Sequence, residues 1–258
     1  MRSFLSSLSL VLLLAVSVAT GPLVAQSIDL SNWTVESEAS FEAFPFDEPF
    51  WQLSLDRLTV TQLENPNPSF FYSDFEVERA RVTAELRVEA GSGDDDWIGF
   101  AIGFDPGERR DAAADFLFLD WKRQDQLLNN LPTTKGLAVS RVLGIATPDE
   151  FRIHDDLANN PAGGVVELAR GATLGSVGWE FGRTYVFEFE IMPDSLRVFV
   201  DGNLEIELAG VFDRGRFACY NFSQAGMSCG DISVEAMAVP VLPLDGWTDE
   251  SYPFGNEA

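Results

Sequence analysis

Histidine and cysteine are almost missing from this chain of 258 residues, which carries His154 alone and only Cys219 and Cys229. Two thiols and one imidazole fall short of the four ligands a structural zinc site uses. The cysteines do allow one disulfide in an oxidising compartment, and they lie in strand-like text on either side of "NFSQAG". A Ser-His-Asp centre would have to use His154, and no nucleophile motif accompanies it. In "FRIHDD" this histidine reads as a solvated loop or strand-end residue.

Positive charge is also sparse. Lys and Arg total 17 against 41 Asp and Glu, for a formal net charge of -24. Such a surface repels phosphate backbones and excludes nucleic acid as a partner. Much of the acidity serves solubility. Long hydrophobic runs are confined to the start of the chain. Arg2, the apolar stretch Leu8 to Val18 and the small residues Ala19 and Ala25 read as a secretory signal over 1–25. The apolar stretch is shorter than the roughly 20 residues a membrane helix needs. The expectation is a protein without membrane insertion that works in an extracellular, periplasmic or cell-surface setting.

Helical periodicity is lacking after the signal, and period-two alternation takes its place. Val82, Ala84, Leu86 and Val88 alternate with charged or polar neighbours. Tyr185, Phe187, Phe189 and Ile191 do the same, as do Leu196, Val198 and Val200, and then Leu204, Ile206 and Leu208. Between the last two runs, Asp201-Gly202 is a hairpin signal, because a tight turn demands positive φ. Many short strands and 21 phenylalanines predict an all-β, two-sheet antiparallel sandwich over 26–238. "FDPGERRDAAAD", "QDQLLNNLPTT" and "DDLANNPAGG" read as loops, and the proline-rich 239–258 as a coil or tail.

One stretch stands out chemically. In "GSGDDDWIGFAIGF", Asp94, Asp95 and Asp96 open directly onto a strand. Adjacent carboxylates repel, so they form either a solvated turn or a loop held by a cation. Clustered oxygen donors suit calcium, which takes about six to eight of them, although the spacing is not that of an EF-hand. In the strand that follows, Ile98, Phe100, Ile102 and Phe104 make a core face. Trp97, Gly99, Ala101 and Gly103 make a nearly bare one, open to close approach by a chain, a ligand or a loop. In "DFLFLDWKRQ", Phe116, Phe118 and Asp120 share a side, and a carboxylate at the end of an apolar face is costly unless paired or metal-bound.

Five phrases in order, "DDDWIGFAIGF", "DFLFLDWKRQ", "VGWEFGRTYVFEFEI", "LRVFVDGNLEIEL" and "DRGRFACYNFSQAGMSCGDISVEA", resemble the C-terminal domain of thrombospondins from about Ser31 to Ala236. The resemblance implies a concanavalin A-like or L-type-lectin-like jelly roll, calcium near the loops and a role in extracellular attachment. It places Asp94, Asp95 and Asp96 on the family's acidic loop as metal candidates. Asp120 stands where the family usually has an apolar residue. Asn221 stands where it has a cysteine, so its disulfide does not transfer. The function so implied is a non-catalytic, calcium-binding adhesion or interaction module with an extracellular protein or glycan partner. The alternative is a carbohydrate-binding, lectin-like module with some of the six tryptophans as stacking platforms. A glycan hydrolase ranks below both. Its candidate pair, Glu188 and Glu190, alternates with Phe187, Phe189 and Ile191 as solvent-facing residues do.

Overall fold

The computed structural model describes residues 27–37, 48–91, 93–128, 130–154, 163–212 and 214–237. The expected signal segment and C-terminal tail lie outside the described residues. Two seven-stranded antiparallel sheets dominate. The first contains, in spatial order, β1 (Thr34–Ser37), β4 (Ser69–Val77), β15 (Gly215–Phe222), β6 (Trp97–Phe104), β7 (Asp115–Lys122), β10 (Gly136–Gly144) and β11 (Gly163–Arg170). The second contains β14 (Asn203–Ala209), β13 (Ser195–Val200), β12 (Thr184–Met192), β5 (Ala80–Val88), β16 (Met227–Ala236), β3 (Thr59–Gln62) and β2 (Trp51–Leu53). The expected all-β sandwich is therefore the fold. Among the described residues no helix is long and apolar enough to cross a membrane.

Strand alternation explains the core. On β5, residues 80, 82, 84, 86 and 88 are buried and those between are partly exposed. These apolar faces meet Phe100, Leu117, Leu119 and Trp121 of the first sheet, and Phe100 packs 5.1 Å from both Phe187 and Phe189. Burying one such ring stabilises the fold by roughly 1.5–3 kcal/mol. Asp201-Gly202 joins β13 to β14 at the expected hairpin, with φ of 49° and 78°.

Cys219 and Cys229 form a disulfide. Cys219 belongs to β15 in the first sheet and Cys229 to β16 in the second, so the bond ties the two layers together.

Three expectations about local structure are corrected, and one open alternative is decided. Phe104 leaves the face of Ile98, Phe100 and Ile102, because Gly103 takes a φ of 75° and reverses the alternation; its ring stacks on Phe70 instead. The nearly bare face of β6 is approached by neighbouring parts of the chain itself, the loop alternative expected from the sequence. A second apolar cluster of Phe70, Trp97, Phe104, Phe118, Tyr220 and others is roofed by Phe151. Phe151 lies on a six-residue helix, α1 (Pro148–Ile153), whose Thr147 cap exchanges hydrogen bonds with Glu150 and is followed by proline. "TPDE" carried that signal as a capping box with Pro at the first helical position. "QDQLLNNLPTT" contains a small hairpin, β8 (Gln126–Leu128) with β9 (Leu131–Thr133), rather than only loop.

Candidate functional site

The acidic stretch joins β5 to β6 at one rim of the sandwich. Asp94, Asp95 and Asp96 are gathered so that one carboxylate oxygen from each lies within 4.8 Å of the others. Among the described residues this is the only group of three or more metal-ligating side chains so arranged. Burial, followed by the charge and hydrogen bonding of Asp96, pushes the Asp94 carboxyl up to about 6. Its backbone bond from Asp95 N–H, at 3.0 Å, opposes that rise.

A cation already stands beneath the loop. Lys122, at the end of β7 and only 1 % exposed, donates to Asp96 Oδ1 at 2.9 Å, to Gln126 Oε1 at 2.9 Å and to Asp95 O at 3.3 Å. The ammonium also sits 3.8 Å from the centre of the Trp97 ring, which stacks on Phe222. Lys122 Nζ also lies 4.0 Å from Asp95 Oδ1, so one positive charge is shared between two of the three carboxylates.

Side chains from distant parts of the sequence complete the setting. Asn65 donates to Asp94 Oδ2 at 3.0 Å and accepts from Ala225 N–H at 2.8 Å. Gln126 Nε2 donates to Asp95 Oδ1. Gln224 Oε1 accepts from Asp96 N–H at 3.1 Å, and Trp179 Nε1 donates to Asp96 O at 3.0 Å. The phrases "DDDW", "DWK", "VGW" and "FSQ" thus converge here through Asp94 to Trp97, Lys122, Trp179 and Gln224. Lys122 could have been found by its period, since it follows Phe116, Phe118 and Asp120 on one side of a strand. Asn65 and Gln126 carried no such signal.

The donor set fits a hard divalent ion. One oxygen from each carboxylate lies within 4.8 Å of the other two, close enough for a single hard ion to touch all three. The amide oxygens of Gln126 and Asn65 are engaged by Lys122 and by Ala225 N–H, so the carboxylates are the hard donors on offer, and the one buried ammonium leaves them with an excess of negative charge.

Asp120, 1 % exposed, has a different partner. His154 Nε2 lies 3.1 Å from Asp120 Oδ2, and His154 Nδ1 lies 3.5 Å from Glu167 Oε2. His154 caps α1 in a left-handed conformation, with φ of 48°, and its side chain is 8 % exposed. The solvated histidine expected from the sequence is therefore corrected: the turn after α1 folds it inward onto a carboxylate. Burial disfavours its charge, but Asp120 and Glu167 outweigh that and hold its pKa up to about 9. Burial pushes Asp120 upward while His154 pulls it down.

The two hydrolase candidates are engaged elsewhere. Glu190 accepts from Arg81 at 2.6 Å and Arg197 at 2.7 Å, and Glu188 lies 3.5 Å from Arg81. Both acids belong to an ion-pair ladder on the outer face of the second sheet.

No protein-family model and no curated protein matches the chain. Several solved structures are similar at low identity. A carbohydrate-binding module from Bacillus subtilis, CBM66, is 12 % identical over 73 % of this chain and 92 % of its own, with a TM-score of 0.49. The exoplasmic/lumenal domain of VIP36 in its Ca2+/Man-bound form is 12 % identical over 80 % and 84 %, with a TM-score of 0.49. Galectin-Ib from Xenopus laevis is 11 % identical over 64 % and 97 %, with a TM-score of 0.40. At these scores the likeness carries nothing about site chemistry, and the fold stands on the strand pairing described above.

Proposed function

We propose that this chain is a secreted, non-catalytic binding module, with residues 26–238 as one domain behind a signal at 1–25, that takes up calcium at Asp94, Asp95 and Asp96 and binds carbohydrate at the same rim. The observation that carries the reading is the convergence of three carboxylates around which, among the described residues, one buried ammonium stands. Asp94 and Asp95 would hold the ion, with Asp96 shared between the ion and Lys122. Bound calcium supplies a hard centre for hydroxyl oxygens. The chain itself contributes planar amides and carboxylates, side chains whose donors and acceptors match vicinal hydroxyls. The absence of catalysis is supported by the engagement of Glu188 and Glu190 with arginines and by the burial of His154 against Asp120.

A second reading keeps the calcium and replaces the glycan with an extracellular protein, as in thrombospondin-type attachment. It is supported by the gathering of four of the five resembling phrases at one rim. Leu127, 70 % exposed beside Gln126, adds an apolar contact that a protein partner would use.

Calcium titration followed by thermal melting is the test, because an ion that binds the native state raises Tm by mass action. Calcium should raise Tm, and Asp95→Ala should blunt the rise. Melts that are identical with calcium and with chelator would remove the metal and both readings that depend on it. Glycan-array binding lost with chelator would select carbohydrate; a calcium-dependent melt with a silent array would select the protein partner.

A further inference from the structure

On the outer face of the second sheet, along the end of β5 that leads into the acidic loop, lies a hollow of about 240 Å³. Two rungs of strand register build it. One runs Thr61, Ser228, Arg87, Thr184 across β3, β16, β5 and β12; the next runs Thr59, Gly230, Glu85, Val186. The floor is low because Gly230 has no side chain. A Cβ there would stand 2.5 Å from Thr59 Oγ1 and 2.9 Å from the Leu58 carbonyl oxygen. Directly after it the register with β5 shifts, and Asp231 takes a φ of 46° while its N–H donates to Leu58 O at 3.0 Å. That bulge sets Asp231 in the wall of the hollow.

The charges here differ from those on the rest of the face. Farther along, Arg81 and Arg197 neutralise Glu188, Glu190 and Glu207. In the hollow, Arg87 is taken up by Glu89 at 3.0 Å. Among the described residues no cation lies within ion-pair distance of Glu85 or Asp231. The lining thus sets three carboxylates against one guanidinium, with the hydroxyls of Thr59, Thr184 and Ser228 between them. Its carboxylates do not converge as those of Asp94 to Asp96 do, so a single metal ion does not bridge them. A longer cation does. The volume lies below the roughly 300–1,000 Å³ of pockets for drug-sized ligands, which limits the guest to about one ring.

We propose that this hollow binds a single amino-sugar unit, a hydroxylated ring carrying a primary ammonium. The ammonium answers the unpaired Glu85 and Asp231, and the ring hydroxyls answer Thr59, Thr184, Ser228 and Arg87. The site needs no calcium. Because the hollow is open to solvent, binding weakens with ionic strength.

The test is an NMR titration of the full chain with glucosamine and, separately, with glucose, both in chelator. Glucosamine should shift the amides of residues 85, 87 and 228–231 and bind at least about five-fold more tightly than glucose, a preference of about 1 kcal/mol. The Glu85→Gln, Asp231→Asn double variant should erase that preference, and asparagine tolerates the left-handed backbone at 231. Ser228→Tyr, checked for an unchanged fold by its melt, should fill the hollow and abolish both titrations. Equal affinity for the two sugars, shifts confined to residues 94–96, no titration at all, or a preference that survives the double variant would each overturn the assignment. None of these outcomes depends on the calcium melt, so the rim and the hollow stand or fall separately.

Discussion

Lys122 Nζ lies 2.9 Å from Asp96 Oδ1 and 3.8 Å from the centre of the Trp97 ring, so the acidic loop rests on a buried lysine of the neighbouring strand. One buried positive charge, 2.9 Å from Asp96 and 4.0 Å from Asp95, offsets part of the crowding of three carboxylates, and solvent or an added ion offsets the rest. Removing the lysine leaves Asp96 buried without its partner, which costs about 3–5 kcal/mol in comparable pairs. Lys122→Met should therefore lower the calcium-free stability by about that much, and saturating calcium should restore part of it. Urea unfolding with and without calcium measures both. A loss below about 1 kcal/mol would mean that the pair does not support the loop.

Asp94→Asn is expected to act in opposite directions in the two states. Asp94 is held up to about 6 by burial and by Asp96, so neutralising it removes a repulsion from the calcium-free protein. Because the group is half-exposed, the gain is discounted to about 1 kcal/mol. The same change deletes a charge that an ion needs. Melts should show a higher Tm in chelator and a smaller rise with calcium; a lower Tm in chelator would contradict the repulsion.

The buried His154–Asp120 pair predicts a pH dependence. The folded-state pKa of His154 is raised from 6.5 to about 9, so its contribution is complete below about pH 6.5 and is lost as pH rises through about 9. Urea unfolding at pH 6, 7.5 and 9.5 should show the decline, and His154→Gln should flatten it. A wild-type profile that is level across this window would show that His154 does not carry the proton.

Replacing both cysteines with alanine opens a bond that closes a loop of 10 residues between the two sheets. Loop-closure entropy gives a loss of about 3 kcal/mol. Reduction of the wild-type protein in denaturant, followed by unfolding under reducing conditions, should give the same loss. An unchanged midpoint would mean that the core alone fixes the layers.

Some of this was legible in the residues and some was not. Alternation along β5, β12 and β13 identified the inner faces, and Asp201-Gly202 identified the hairpin, because strand period and turn chemistry are local properties. Leu204, Ile206 and Leu208 read as the inner face of β14, yet Leu204 is exposed and Glu205 is buried. A register shift opposite Val198 and Phe199 displaces that strand. Glu205 then turns to accept from Thr173 N–H at 2.8 Å and Leu174 N–H at 3.0 Å, partners some thirty residues away.

The amino-acid sequence by itself determined two antiparallel layers, their aromatic filling and an acidic stretch at the start of a strand, since each follows from neighbours one or two positions apart. Only the tertiary structure decided that Cys219 and Cys229 join different sheets, that His154 turns inward to Asp120, and that Lys122, Asn65, Gln126 and Gln224 surround the acids. Those relations are set by which strands become neighbours after long chain separations. Residue periodicity fixes the face a side chain occupies and leaves its partner open.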